Sequence, residues 1–414
     1  MPAAVKQYFN WLGVFGLLAG CGGAPSAPAE GPVASPPSSA LVAAGPQPAP
    51  PPAAAAPQPG QGALLAPAPV QQVSAFGKVI AVEQWLEPWS FPALRPARFP
   101  KPQRYERWRQ LKQINVGFSH LSMAELSDDD QYLMVVSENE AKLRIYQTAS
   151  GKLLSSSEVT GYSQFGRGTF MWQPGPWLQP SVIFANDGGI RAIDPPTGVT
   201  LSQLSEESAW QLRGSDNGAV LGANLPNIDN QSSILVFYAW RPDGKTLVPA
   251  LALRFAERVD GFDLSMDNTL LAVSLYPSDT VQLLDLRSRR LMWSQPAPKY
   301  VSSVDISPDG TLVAVGGDAV VVYDSWEPTR QSRFTDLGNN VHQVRFSPTG
   351  DALAASAYDG KARILQPTAD GAPLKLLKLL KHTGTANVYA VTFSSTGDRL
   401  VTSSGDKTLR IWGE

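Results

Sequence analysis

Apolar residues in the second half of the chain alternate with polar ones over runs of five to seven residues. That period of two marks half-buried strands. Between the runs lie turn-formers of Ser-Pro-Asp-Gly type, which supply hairpin geometry. The unit recurs: a strand with V-x-x-V-x-F spacing, a Ser-led turn, a second strand, a turn with Asp, then a third strand. It is plainest at 301–310 (VSSVDISPDG), 341–350 (VHQVRFSPTG) and 388–397 (VYAVTFSSTG). A fourth copy fits at 259–268 (VDGFDLSMDN), and turns at 127–130 and 215–218 extend the series. A weak turn near 173–175 completes it. The first turns then stand at 127, 173, 215, 265, 307, 347 and 394. A period of roughly 40–50 residues suits one four-stranded unit per repeat. Such a sheet has two open faces and must stack on neighbours until a ring closes. The pattern therefore predicts an all-β fold, a seven-bladed β-propeller. The last unit reaches Glu414 with only three strands, and 108–114 (WRQLKQI) patterns like 374–380 (LKLLKLL). That early segment is expected to supply the fourth strand and close the ring.

Before the repeats the composition changes. Residues 22–77 are mainly Ala, Pro, Gly, Ser and Gln, with Glu30 the only charge. Proline fixes φ and removes donors, and little here can bury enough surface to offset ordering entropy. A disordered, partly extended spacer is expected. Ahead of it, 11–20 (WLGVFGLLAG) follows the cationic Lys6 and is too short to span a bilayer. It ends in Leu18-Ala19-Gly20-Cys21, and Cys21 is the only cysteine of the chain. This arrangement resembles the lipobox of bacterial lipoproteins. The resemblance implies thioether lipidation of Cys21, cleavage before it, acylation of the new amine and stable anchoring by several acyl chains. With Gly22 rather than Asp at the next position, it also implies the cell envelope, and the outer membrane of a Gram-negative bacterium. The expected organisation is a signal peptide at 1–20, lipidated Cys21 and linker to 77, an extended collar at 78–107, and the propeller at 108–414.

The final repeat carries a second resemblance. His382, Thr402, Asp406 and Trp412, the last three in LVTSSGDKTLRIW, are similar to the structural tetrad of WD40 repeats. That resemblance implies that the four side chains hydrogen-bond for folding and do no chemistry. The other blades are degenerate: Leu365 stands at the Trp position in blade six. Asp persists in the second turn, at Asp187, Asp279, Asp318 and Asp359.

Charge and chemistry then exclude several functions. The formal net charge of −2 gives no global field for nucleic acid. One Cys and three His rule out Cys-rich and His-rich metal sites. Residues 239–246 (AWRPDGKT) match a loose phosphate-loop pattern, but a strand rather than a helix follows, so the stretch reads as a hairpin. Asp128-Asp129-Asp130 lacks EF-hand spacing and reads as a solvated first turn. No G-x-S-x-G elbow is present. The basic stretch from Arg95 to Lys112 reads as the collar, with contact to an anionic surface as the sharper reading. No catalytic residue, cofactor or metal is expected.

Propellers bind partners around the channel mouth. Aligned on their first turns, the repeats place Ser122, Gly168, Trp210, Asp260, Ser302, His342 and Tyr389 at one equivalent position where the innermost strands begin. Trp210, Asp260, His342 and Tyr389 are the candidate partner-binding rim, because aromatic anchors with a few polar groups suit an interface. The expected function is a membrane-anchored protein-interaction module, monomeric and non-catalytic. The rivals are a lactonase-like or quinone-dependent dehydrogenase-like propeller enzyme and an outer-membrane assembly factor.

Overall fold

The computed structural model describes residues 72–75, 78–81 and 101–414, apart from 119, 138, 160–167, 174–178, 187–188, 206–208, 227–230 and 241–246. All of these lie in the compact unit spanning 57–414. Cys21, most of the linker and collar, Asp187 and the Gly-Lys-Thr of the loose phosphate-loop match lie outside the described residues. Within that stretch Gln72–Ala75 pairs antiparallel with Lys78–Ala81, so the expected boundary between linker and collar falls inside a hairpin. Tyr105–Arg107 forms a 3-10 turn rather than extended chain.

Seven four-stranded antiparallel sheets follow in chain order. Their innermost strands are Met123–Leu126, Gly168–Gln173, Gln211–Gly214, Arg258–Leu264, Ser303–Ile306, Val341–Phe346 and Val388–Phe393. The blades are numbered one to seven in that order. Seven apolar clusters fill the seven junctions between neighbouring blades. The cluster joining blade seven to blade one shows that the ring closes: Val401, Leu409 and Ile411 pack with Leu121, Leu133 and Val135.

Blade seven takes its outer strand from the start of the propeller. Arg109–Asn115 pairs antiparallel with Thr408–Gly413, in the register Arg109↔Gly413 and Ile114↔Leu409. The strand starts one residue later than its pattern predicts. Trp108 instead turns inward, 1% exposed, against Tyr105 and Phe393. Closure leaves the outer strand of each blade as a sheet edge on the perimeter. On blade six that edge, Lys375–Lys381, carries lysines at 375, 378 and 381, which oppose pairing with another chain.

The first turns repeat one geometry in six blades. In blade five the Ser307 hydroxyl donates to Asp309 at 2.6 Å and accepts the Leu312 N–H at 2.9 Å. Ser127, Ser215, Ser265, Ser347 and Ser394 likewise accept the N–H five residues on. Three residues after each serine the backbone is left-handed, which explains the glycine of Ser-Pro-Asp-Gly at Gly310 (φ 74°). In the second turns, Asp318, Asp359 and Asp406 accept the backbone N–H of Lys299, Gly338 and Thr383. Each aspartate ties its turn to the loop that enters its own blade.

Blade two departs from its expected register. Its innermost strand runs from Gly168 through Gln173, so 173 lies on the strand and not in a turn. Thr169, not Met171, then takes the channel position: its hydroxyl accepts the Gly214 N–H at 3.1 Å. Gly168 therefore does not share the rim position of Ser122.

Candidate functional site

The residue two places before each first-turn serine lies on an innermost strand and faces the channel. In five blades it is charged: Glu125, Arg213, Asp263, Asp305 and Arg345. Arg213 binds Asp263 through Nε and Asp305 through Nη2, the latter at 2.6 Å. Arg345 reaches the same Asp305 oxygen at 3.1 Å. The second oxygens latch blade to blade: Asp263 accepts the Ile306 N–H at 2.8 Å, and Asp305 the Phe346 N–H at 2.7 Å. Glu125 does the same for Phe170 at 3.0 Å. Burial pushes the Asp263 and Asp305 carboxyls up, and Arg213 pulls both back. Burial also works against the Arg213 charge, but Asp263 and Asp305 outweigh it. Removing one member would leave a buried charge uncompensated, which is the costly way to lose an ion pair.

This ionic bar divides the channel. At the front, where innermost strands begin, a void of about 60 Å³ is lined by Ser122, Gln211, Ser302 and His342 among others. Beside it the rings of His120, His342, Tyr358 and Tyr389 pack together, with centroids 4.2 Å (His120–Tyr389) to 5.9 Å (Tyr358–Tyr389) apart. Burial lowers the His342 pKa to about 4, so its imidazole is neutral at pH 7. The structure thus brings two of the four rim residues together, His342 and Tyr389, at 5.7 Å. Trp210 stands half-buried at blade three. Asp260 is 5% exposed, its carboxylate held by Arg258 at 2.6 and 3.0 Å. His120 was not among the sequence candidates, because it precedes blade one in a loop without repeat pattern.

At the rear, where innermost strands run into the first turns, the channel widens to a cavity of about 680 Å³. Arg213, Asp305 and Arg345 lie deepest. Phe346, Phe393, Pro308, Pro348 and the exposed Met266 supply apolar surface. Asp128, Asp216 and Asp309 come from the turns around it. The chain reaches the propeller on this side: Lys101 N–H bonds to Thr396 O, and the Tyr105 hydroxyl to Asp351 at 2.8 Å. Of the acidic triplet in blade one, Asp129 accepts the Ser127 hydroxyl and Asp130 bonds across the closure to Ser395 at 3.0 Å.

On the flank of blade seven, His382, Thr402, Asp406 and Trp412 meet. His382 Nδ1 lies 3.1 Å from Asp406, and Nε2 lies 2.6 Å from the Thr402 hydroxyl. Trp412 Nε1 donates to that same hydroxyl oxygen at 2.9 Å. Burial, against the pull of Asp406, lowers the His382 pKa to about 4. A neutral ring that donates from Nδ1 and accepts at Nε2 satisfies every distance. Arg410 adds a bond to Asp406 at 3.0 Å. The four side chains form one hydrogen-bonded network on the flank of blade seven, which Arg410 and the Thr383 N–H extend at Asp406.

The family model described as WD domain, G-beta repeat matches residues 290–322, 331–365 and 374–413. Each stretch begins on the outer strand of one blade and runs through the first three strands of the next, from blade four's outer strand to blade seven, so the last three blades carry WD40 repeats. No curated protein matches the chain. Among solved structures, a chain of "Crystal Structure of Mitotic Checkpoint Complex" is similar at TM-score 0.56 and 17% identity, over 77% of this chain and 97% of that one. With 1669 solved chains matching, the likeness establishes the propeller and selects no single function.

Proposed function

We propose that this WD40-type propeller is a non-catalytic protein-interaction module of the cell envelope, held to a membrane by lipid on Cys21 and seating its partner in the rear mouth. The rear cavity carries the reading. Its volume of about 680 Å³ is that of a ligand site, whereas the front void has room for only a few waters. Its apolar surface includes one exposed methionine, two phenylalanines and two prolines, around a fixed ionic floor. Apolar contact around oriented polar groups is the make-up of an interface core. The floor charges are bound to one another and to backbone N–H groups, a structural duty rather than a poised acid and base. Pro-rich sequence between Cys21 and the propeller would give reach, on the order of 3 Å per extended residue. The outer membrane is the proposed site, from the lipobox and Gly22.

Two experiments test this reading. Cys21→Ser should leave an uncleaved precursor and release the protein from membranes; a variant that stays membrane-bound through high-salt and carbonate washes contradicts the anchor. Affinity capture of the full chain from a detergent extract of envelopes, after crosslinking, should return a discrete partner in near-stoichiometric amount. Recovery of the chain alone contradicts the interaction.

A further inference from the structure

We infer that the perimeter of blades six and seven rests on anionic phospholipid headgroups; this deepens the membrane part of the reading above and rests on it. The 3-10 turn Tyr105–Arg107 joins the outer strands of the two blades there. Lys378 Nζ donates to the Glu106 carbonyl at 2.8 Å, and Trp108 leads directly into Arg109–Asn115. Residues 101–115, 375–381 and 414 hold eight lysines and arginines against two carboxylates, in a chain whose formal net charge is −2. One of those carboxylates, Glu414, is taken by Arg107 at 3.3 Å. Lys101, Arg104, Arg109, Lys375 and Lys381 are exposed, and their side chains make no hydrogen bond or ion pair among the described residues.

Protection of a sheet edge accounts for the lysines of blade six, but not for Lys101 and Arg104, which belong to no strand. Leu111 and Leu376, 44% and 38% exposed, stand among the cations on the two outer strands. Cations with exposed aliphatic groups between them suit a lipid surface: the charges meet headgroup phosphates while the leucines enter the boundary beneath. Connectivity favours lipid over an acidic protein. The chain that runs from Cys21 reaches the described propeller at Lys101, whose N–H bonds to Thr396 O on blade seven. An anchor at Cys21 would make the second contact intramolecular, so weak individual attractions suffice. Contact along the perimeter also leaves both channel mouths open to a partner.

The test uses the full lipidated chain reconstituted in vesicles. Leu376→Cys and Tyr300→Cys are each labelled with bimane; with Cys21 carrying lipid, the introduced cysteine is the free thiol. The vesicles are phosphatidylcholine with about one-third phosphatidylglycerol and a headgroup-spin-labelled lipid as quencher. Bimane at 376 should be quenched about threefold more than bimane at 300. Without phosphatidylglycerol, or in high salt, the difference should vanish. Arg104→Gln/Arg109→Gln/Lys375→Gln should abolish it. Arg287→Gln/Lys299→Gln/Arg333→Gln, an equal charge change on blades four and five, should leave it intact. Circular dichroism melting shows that each variant is folded. Equal quenching at the two positions, equal quenching without phosphatidylglycerol, or equal loss in both triples each overturns the proposal. So does salt-sensitive binding of octaglutamate without quenching at 376, which would assign the edge to an acidic protein. Flotation of the wild-type chain with neutral vesicles reports the anchor separately. Flotation without quenching at 376 leaves the anchor standing and makes the edge wrong. Flotation with anionic vesicles alone, lost in the Arg104→Gln triple, supports the edge and contradicts the anchor. Flotation with neither contradicts both.

Discussion

A chain beginning at Val116 should fail to form a stable ring, whereas one beginning at Gly77 should fold. The shorter chain lacks Arg109–Asn115 and leaves the outer side of Thr408–Gly413 as an unpaired edge of blade seven. It also loses core on both sides of that blade. Trp108 belongs to the cluster between blades six and seven, and Ile114 to the one between seven and one. Removing a buried Trp costs about 3–5 kcal/mol and a buried Ile about 2–5. Together these approach a typical folding free energy of about 5–15 kcal/mol, before the backbone pairs are counted. The bared strand is also a template for association. Size-exclusion chromatography should show aggregate for the shorter chain and monomer for the longer. Equal melting temperatures for the two would contradict closure by this strand.

Trp412→Ala should destabilise the propeller by about 3–5 kcal/mol. The indole is 7% exposed, packs in the cluster between blades six and seven, and donates to Thr402. The variant loses that apolar contact and strands a hydroxyl lone pair. Asp406→Ala should cost less, roughly 1–3 kcal/mol, because it removes an acceptor rather than a wall of the core. Its lost acceptor serves His382, Thr383 and Arg410. The double variant should lose less than the sum, since Thr402 and His382 couple the two sites. For a domain of this size the Trp412→Ala loss corresponds to a drop of about 5–8 °C in Tm. Melting within a degree or two of wild type would make Trp412 a surface residue and contradict its place in the network.

Much of this architecture was legible because its determinants are local. Each first turn is written within six residues, as a serine, an Asp or Asn near it, and a residue that tolerates positive φ. Periodicity therefore located six turns, and missed only blade two, where the innermost strand runs on to Gln173. The closing strand was found one residue early, because Trp108 fits the strand pattern yet packs sideways into the core. The ionic bar was not foreseen, although a charge two places before the serine recurs in AELS, LRGS, FDLS, VDIS and VRFS. Local pattern shows that such residues face the channel. It does not show that Arg213 reaches Asp305, 92 residues away, because that contact exists only once the ring is closed. The same limit governs the choice of mouth. Repeat alignment pointed to the front rim, where Asp260 turns out to be held by Arg258, while the roomy cavity opens at the rear.

Which mouth meets the partner can be measured directly. Met266 lines the rear cavity and is 39% exposed, and Tyr300 is 66% exposed in a front loop. Each can be replaced in turn by a photocrosslinking phenylalanine analogue in the full chain, and envelopes illuminated. The account predicts a discrete crosslinked adduct from position 266 and none from position 300. An adduct from position 300 with none from 266 would contradict it.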